Sequence, residues 1–239
     1  MWPLFIVWTA LASTTMAFEF GPAQTGELIM NTSLREAFDH LLRAFDAIWI
    51  LLAGTVTYLA MASAEGLPTA RRWAAIILLG SAALSGIGAA TGFPFGPLAY
   101  TDVMGLRLGR LVPFTLPFLW LSLVIGSRYA AMRLFPCATI WQIAACAALL
   151  VAATDIILEP IAWKVRAWWL WYPRDLSPSS APPLQNHLTW LVAGFALAIA
   201  LGENRLRVVR RPGGDRAIGV FLLLNAALLS THAVRWLRG

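Results

Sequence analysis

Seven apolar stretches of near-spanning length divide the chain, at about 2–18, 44–63, 73–90, 111–127, 137–158, 188–202 and 217–234. Each approaches the roughly 20 residues that an α-helix needs to cross a bilayer. Apolarity runs through them, where a soluble surface helix would carry a one-sided stripe. The predicted fold is an all-α polytopic integral membrane bundle of about seven transmembrane helices, one domain over residues 1–239. The first and sixth stretches are short or diluted with small polar residues. The first lacks the basic start of a signal peptide, since the first arginine is Arg35, and is read as an uncleaved helix.

Two connections are longer than the rest, at 91–110 and 159–185. The first opens with Thr91-Gly92-Phe93-Pro94-Phe95-Gly96 and goes on to Tyr100-Thr101. Glycine and proline at that density cannot continue a helix. Irregular backbone at the edge of a membrane core is tolerated where it is buried in protein or lines a cavity, so this segment points to a site. The second connection holds Trp163, Trp168, Trp169, Trp171 and Tyr172, then a Pro/Ser-rich run at 178–183. Helix parity puts both on one side, with the 1–2 connection and its Glu19, Glu27, Arg35, Asp39 and His40. The opposite side collects Arg71-Arg72, Arg128 with Arg133, and Arg205, Arg207, Arg210 and Arg211, which the positive-inside rule makes cytoplasmic.

Composition narrows the function classes. The chain is 59% hydrophobic and 13% charged, unlike an ordinary soluble domain. The expected location is the bacterial inner membrane, with membrane lipids as neighbours. The net charge of +6 is almost all arginine, Lys164 being the only lysine, and it reads as topology and not as a nucleic-acid surface. His40, His187 and His232 are too few and too scattered for a membrane di-iron oxygenase. A dinucleotide fingerprint and a P-loop are both missing. No metal and no cofactor are expected. Lys164 follows Pro160 and is read in the connection, which argues against a retinal Schiff base. Cys137 and Cys146 match no zinc spacing, cannot bridge within one helix, and are read as packing residues.

The candidate chemistry starts at Asp155 and Glu159. Their spacing of four puts both carboxyls on one helical face at the end of an apolar run. A carboxylic acid in an apolar pocket suits protonation of an alkene. The alternative is a pairing of either one with Lys164 or Arg166. The tryptophan cluster is either an interfacial belt or a lining of π faces that would hold a flat polyene and steady a carbocation. Asn186 and His187 open the sixth helix: Asn186 is read as a cap, and His187 could orient a water. Asp39, Arg43 and Asp46 share a face of the second helix, as an ion pair or a proton relay.

Taken together, these segments resemble the bacterial and archaeal carotenoid biosynthesis membrane family that includes the carotenoid 1,2-hydratases and bisanhydrobacterioruberin hydratases. The resemblance is carried by Thr91 to Gly96 with Tyr100-Thr101, then Leu108, Val112-Pro113 and Leu116-Pro117-Phe118-Leu119-Trp120. It resumes at Asp155-Ile156-Ile157-Leu158-Glu159-Pro160, Trp169-Leu170-Trp171, and Pro183-Leu184-Gln185-Asn186 with Trp190, a core of about residues 85–195. It implies cofactor-independent addition of water to the terminal double bond of an acyclic polyene, a long-chain polyene or isoprenoid lipid being the substrate. Asp155 and Glu159 would be the catalytic acids. Phe93, Phe95, Tyr100, Trp120, Trp169, Trp171, Asn186 and Trp190 would bind substrate, with Asn186 holding water.

The chain departs from the family pattern. Ser85 stands where glutamate is usual, Leu98 where a second tyrosine is usual, Glu159 in place of aspartate, and Ala181-Pro182-Pro183 in place of Gly-Val-Pro. The change at 85 removes a proton donor or water-positioning group. Two alternatives therefore stand beside hydration. One is a cyclase or isomerase that uses the same protonation in a drier site. The other is a non-enzymatic polyene- or lipid-binding membrane protein. Sequence does not fix the oligomeric state.

Overall fold

The computed structural model describes residues 1–19, 32–172, 182–202 and 212–238, with the side chains of 32–40, Arg43 and Pro212 excepted. Glu27, Arg205, Arg207, Arg210, Arg211 and most of the Pro/Ser-rich run lie outside the described residues, as do the side chains of Arg35, Asp39, His40 and Arg43. Seven α-helices are present among the described residues: α1 Trp2–Ala17, α2 Thr32–Glu65, α3 Leu67–Thr91, α4 Leu116–Leu134, α5 Ile140–Pro160, α6 Leu184–Ala200 and α7 Pro212–Arg238. Parts of α2, α3, α5 and α7 are long and apolar enough to cross a membrane, while α1 and α6 are apolar but shorter.

The bundle is organised around α4. It packs against α2, α3, α5, α6 and α7, and most of its residues are buried. Burial on all sides against five neighbouring helices puts it at the centre of the bundle. Close approach is built in at Gly126, where a Cβ would lie 2.5 Å from Phe221 Cβ on α7.

Several boundaries differ from the sequence reading. The fourth helix starts at Leu116 and not at 111, because Val112–Pro113 pairs as a strand and Pro117 fits only the first helical turn. It also runs on to Leu134, so Arg128 is not a loop charge. Its guanidinium is buried and donates to the carbonyls of Ala198 and Gly202, 2.6 Å each, at the end of α6. Carbonyls at a helix end lack intrahelical donors, and a charged donor there is worth about 1.5–3 kcal/mol per bond. Arg35, Asp39 and His40 belong to α2 and not to a connection. Cys137 is exposed between α4 and α5, while Cys146 is half-buried on α5 and packs against the core.

The fifth helix does not stop at 158. Pro160 cannot donate to the carbonyl of Ile156, yet the chain stays helical as a π-turn over Ile161–Val165. Arg166 N–H closes that turn on Ile161 O at 2.9 Å. Lys164 is therefore part of this helical extension, its ammonium 4.9 Å from the Trp163 ring.

Candidate functional site

Each long connection contributes a three-residue strand. β1 (Leu98–Tyr100) pairs antiparallel with β4 (Trp169–Trp171), Leu98 opposite Trp171 and Tyr100 opposite Trp169. β2 (Arg107–Leu108) and β3 (Val112–Pro113) form a second small pair. In a strand, residues two apart share a face. Leu98, Tyr100, Trp169 and Trp171 all turn inward and are buried, whereas Ala99 is exposed and Leu170 half-buried.

The corner before β4 is fixed from two directions. Thr101 Oγ1 donates to Ala167 O at 2.5 Å, and Thr101 N–H to Trp168 O at 3.0 Å. From α2, Asp46 accepts from Arg166 Nη2 at 2.7 Å and from Trp168 Nε1 at 2.8 Å. Asp46 is thus an ion-pair residue whose described partner is Arg166. The pairing of Asp155 or Glu159 with Lys164 or Arg166, allowed by the sequence, does not occur.

Asp155 and Glu159 are 0% and 1% exposed, one turn apart on α5. Glu159 Oε1 accepts from both strand indoles, Trp169 Nε1 at 2.8 Å and Trp171 Nε1 at 2.5 Å. Asp155 Oδ2 meets His187 Nδ1 at 2.6 Å. Asn186 joins the two: its Nδ2 lies 3.3 and 3.4 Å from the Asp155 oxygens and 3.3 Å from Glu159 Oε2. So Asn186 is not the cap of α6. Pro183 occupies that position, and the Asn186 side chain turns inward to the carboxyls. One chain of polar contacts results, from His187 through Asp155, Asn186 and Glu159 to the two indoles.

In front of this chain lies a small cavity of about 10 Å³. Its wall is Phe95, Tyr100, Trp120, Trp169, Trp171 and Trp190, with Leu98, Leu116, Ser85 and Asn186. Trp120 and Trp190 stack at 4.3 Å between centroids and 15° between planes, and Tyr100 meets Trp169 edge-on at 6.2 Å. Such pairs add about 0.5–1.5 kcal/mol each beyond burial. Asp155 and Glu159 do not line the cavity; they stand one residue layer behind it, reached through Asn186.

Ser85 supplies a hydroxyl that is 1% exposed and makes no hydrogen bond among the described residues. An unpaired buried hydroxyl costs about 1–3 kcal/mol. It sits close enough to Tyr100 to act on it electrostatically without a bond of normal geometry. Burial pushes the Tyr100 phenol up, the Ser85 hydroxyl works against that, and negative charge at Glu159 adds to it. Tyr100 therefore keeps its proton and serves as a neutral hydrogen-bonding group.

A second, larger space lies on the outer side. A groove of about 590 Å³ runs between α3 and α6, lined by Gly80, Leu84, Phe93, Leu188, Val192 and Leu197 among others. One layer separates it from the cavity. Leu84, Pro94, Gln185 and Thr189 line the groove, while the next residues, Ser85, Phe95, Asn186 and Trp190, line the cavity. Thr189 Oγ1 donates to Pro94 O at 2.8 Å, holding the 93–95 segment to α6. Phe93, expected with the other site residues, is 70% exposed on the groove and absent from the cavity. Phe95, Tyr100, Trp120, Trp169, Trp171, Asn186 and Trp190 are brought together.

Sequence reasoning missed the strand pair, although Trp169-Leu170-Trp171 carries its two-residue period. It also missed Trp168 as an Asp46 ligand, for which no local signal exists, since the two are 122 positions apart. No curated protein and no solved structure matches the chain. A family model described as carotenoid biosynthesis protein matches residues 45–235, which takes in the central helix, both strand-forming connections and every residue of the carboxyl–indole network, and the chain belongs to that family.

Proposed function

We propose that this membrane protein acts in carotenoid biosynthesis by adding water across the terminal double bond of an acyclic polyene. The observation that carries the reading is the pair of buried carboxyls, bridged by Asn186, directly behind a cavity walled by six aromatic rings. A proton from the Asp155–Glu159 pair forms a C–H bond at the less substituted alkene carbon. The positive charge left on the tertiary carbon faces π surfaces, each worth about 0.5–2 kcal/mol to a cation. The Asn186 contacts of 3.3–3.4 Å are long for N–H···O bonds, so a modest swing of the amide opens the carboxyls to the alkene.

The cavity is far too small for a whole polyene, and the groove supplies the room. The apolar tail lies between α3 and α6, and the chain end reaches the rings past the Pro94–Thr189 contact as wall side chains give way, since the cavity at rest has room for no more than a water. Gly80 sets the groove width, since a Cβ there would be 3.1 Å from Leu197 Cδ2. Gly80→Leu is expected to raise KM for a full-length polyene about tenfold and to leave a short isoprenoid alkene unaffected. Equal effects on both lengths would remove the tail from the groove.

Incubation with an acyclic carotene in ¹⁸O-labelled water tests the reaction. Labelled tertiary alcohol is the expected product. Oxygen drawn from O₂, or an intact protein that leaves the carotene unchanged, would sink the reading. A second reading omits the water: the same cation closes a ring or loses a proton. The cavity favours it to the extent that, among its lining groups, only the Ser85 hydroxyl, the Tyr100 phenol and the Asn186 carbonyl are not already turned to the carboxyls. A product of unchanged mass and altered absorption would select it.

A further inference from the structure

We propose that Ser85, Tyr100 and Asn186 form a binding site for a single water molecule, the one whose oxygen is captured by the cation; this rests on the hydration reading above. Three observations converge. The Ser85 hydroxyl is 1% exposed, lacks a hydrogen-bond partner among the described residues and lines the cavity. The cavity volume of about 10 Å³ matches one water and excludes a second. A buried water needs two to four polar partners, and the Ser85 hydroxyl, the neutral Tyr100 phenol and the Asn186 side-chain carbonyl are in the wall, the Asn186 Nδ2 being turned to the carboxyls. The two strand indoles are not available, because both donate to Glu159.

The site fixes the fate of the cation. Protonation of the alkene consumes its π pair and leaves an empty orbital on the tertiary carbon. A water at Ser85 donates a lone pair there, a C–O bond forms, and the resulting oxonium returns one proton to the carboxylate that supplied it. The net change is addition of one water. With the water gone, the cation loses a proton from a neighbouring carbon to that same carboxylate, and an isomeric alkene leaves. Ser85 is thus a specificity-determining residue that sets alcohol against isomer.

The test is product partition in Ser85→Ala and Tyr100→Phe, each of which removes one oxygen and no bulk. The ratio of alcohol to isomerised alkene is expected to fall about tenfold in Ser85→Ala and several-fold in Tyr100→Phe, whatever the change in total substrate consumption. An unchanged ratio in both variants overturns the water site while leaving hydration intact. A wild-type protein that makes no alcohol overturns hydration, and with it this role of the water. A high-resolution structure gives a readout independent of turnover. Density bridging Ser85 and Tyr100 in the wild type and lost in Ser85→Ala supports the site; its absence from a wild-type map that shows other buried waters overturns it.

Discussion

Glu159→Gln is expected to lower turnover about 10²–10⁴-fold, the range associated with removal of a positioned acid or base. The substitution preserves size, and the glutamine carbonyl can still accept from Trp169 and Trp171, so β4 keeps its anchor. The exchangeable proton and the charge are lost. The amide nitrogen would also face Asn186 Nδ2, which now donates to Glu159 Oε2 at 3.3 Å, and two donors cannot satisfy each other. The groove proposed for the polyene tail is not lined by Glu159, so affinity should change less than about threefold. Quenching of tryptophan fluorescence by bound polyene gives the affinity, and single-turnover product analysis gives the chemistry. Near-normal turnover in a folded Glu159→Gln protein would remove Glu159 from the acid system.

The helical bundle was legible because spanning helices declare themselves by length and apolarity alone. Their ends were less so. At Pro160 the expected stop did not occur, because a π-turn absorbs the missing donor and tertiary contacts from Thr101 and Asp46 hold residues 166–168 beyond it. The same tertiary logic hid the role of Arg128, which looks like a topology signal in sequence and serves as the cap of a distant helix. Within the site, the carboxyl pair followed from a spacing of four, a local property. The convergence of Tyr100 with Trp169 and of Asn186 with Asp155 could be placed on one side by helix parity, but the atoms that meet depend on strand register and on the entry of α6. The assignment of Asn186 as a cap failed for this reason: its side-chain amide found two buried carboxyls, a stronger set of partners than one backbone N–H.

Asp46 and Arg166 extend the site outward without touching it. Their ion pair is largely buried, at 3% and 13% side-chain exposure, and ties α2 to the turn that delivers Trp168 and Trp169. A buried pair of this kind contributes little net stability over apolar packing, but loss of one partner strands the other. Its effect is positional: the indole ring of Trp168 is held from behind, and the Trp169 indole is thereby aimed at Glu159.

Asp155→Asn is expected to reduce turnover about 10²–10³-fold and to alter its pH dependence. Asp155 meets His187 Nδ1 and accepts from Asn186; an asparagine in its place carries no exchangeable acid proton and no charge to either contact. The negative charge beside Glu159 goes with it. Two carboxyls and an imidazole in contact titrate as a coupled set, with macroscopic steps that belong to the group. The rate profile of Asp155→Asn should therefore show one step fewer than the wild type, a change that mere loosening of the fold would not produce. His187→Gln separates the parts. The His187 side chain is 25% exposed, so water can replace its contact, and a loss of only about tenfold is expected. If Asp155→Asn turns over normally, Glu159 acts alone. If wild type, Asp155→Asn and Glu159→Gln all bind polyene equally and none transforms it, the carboxyl pair serves a pigment-binding protein and the ring-lined cavity is a receptacle for a chain end.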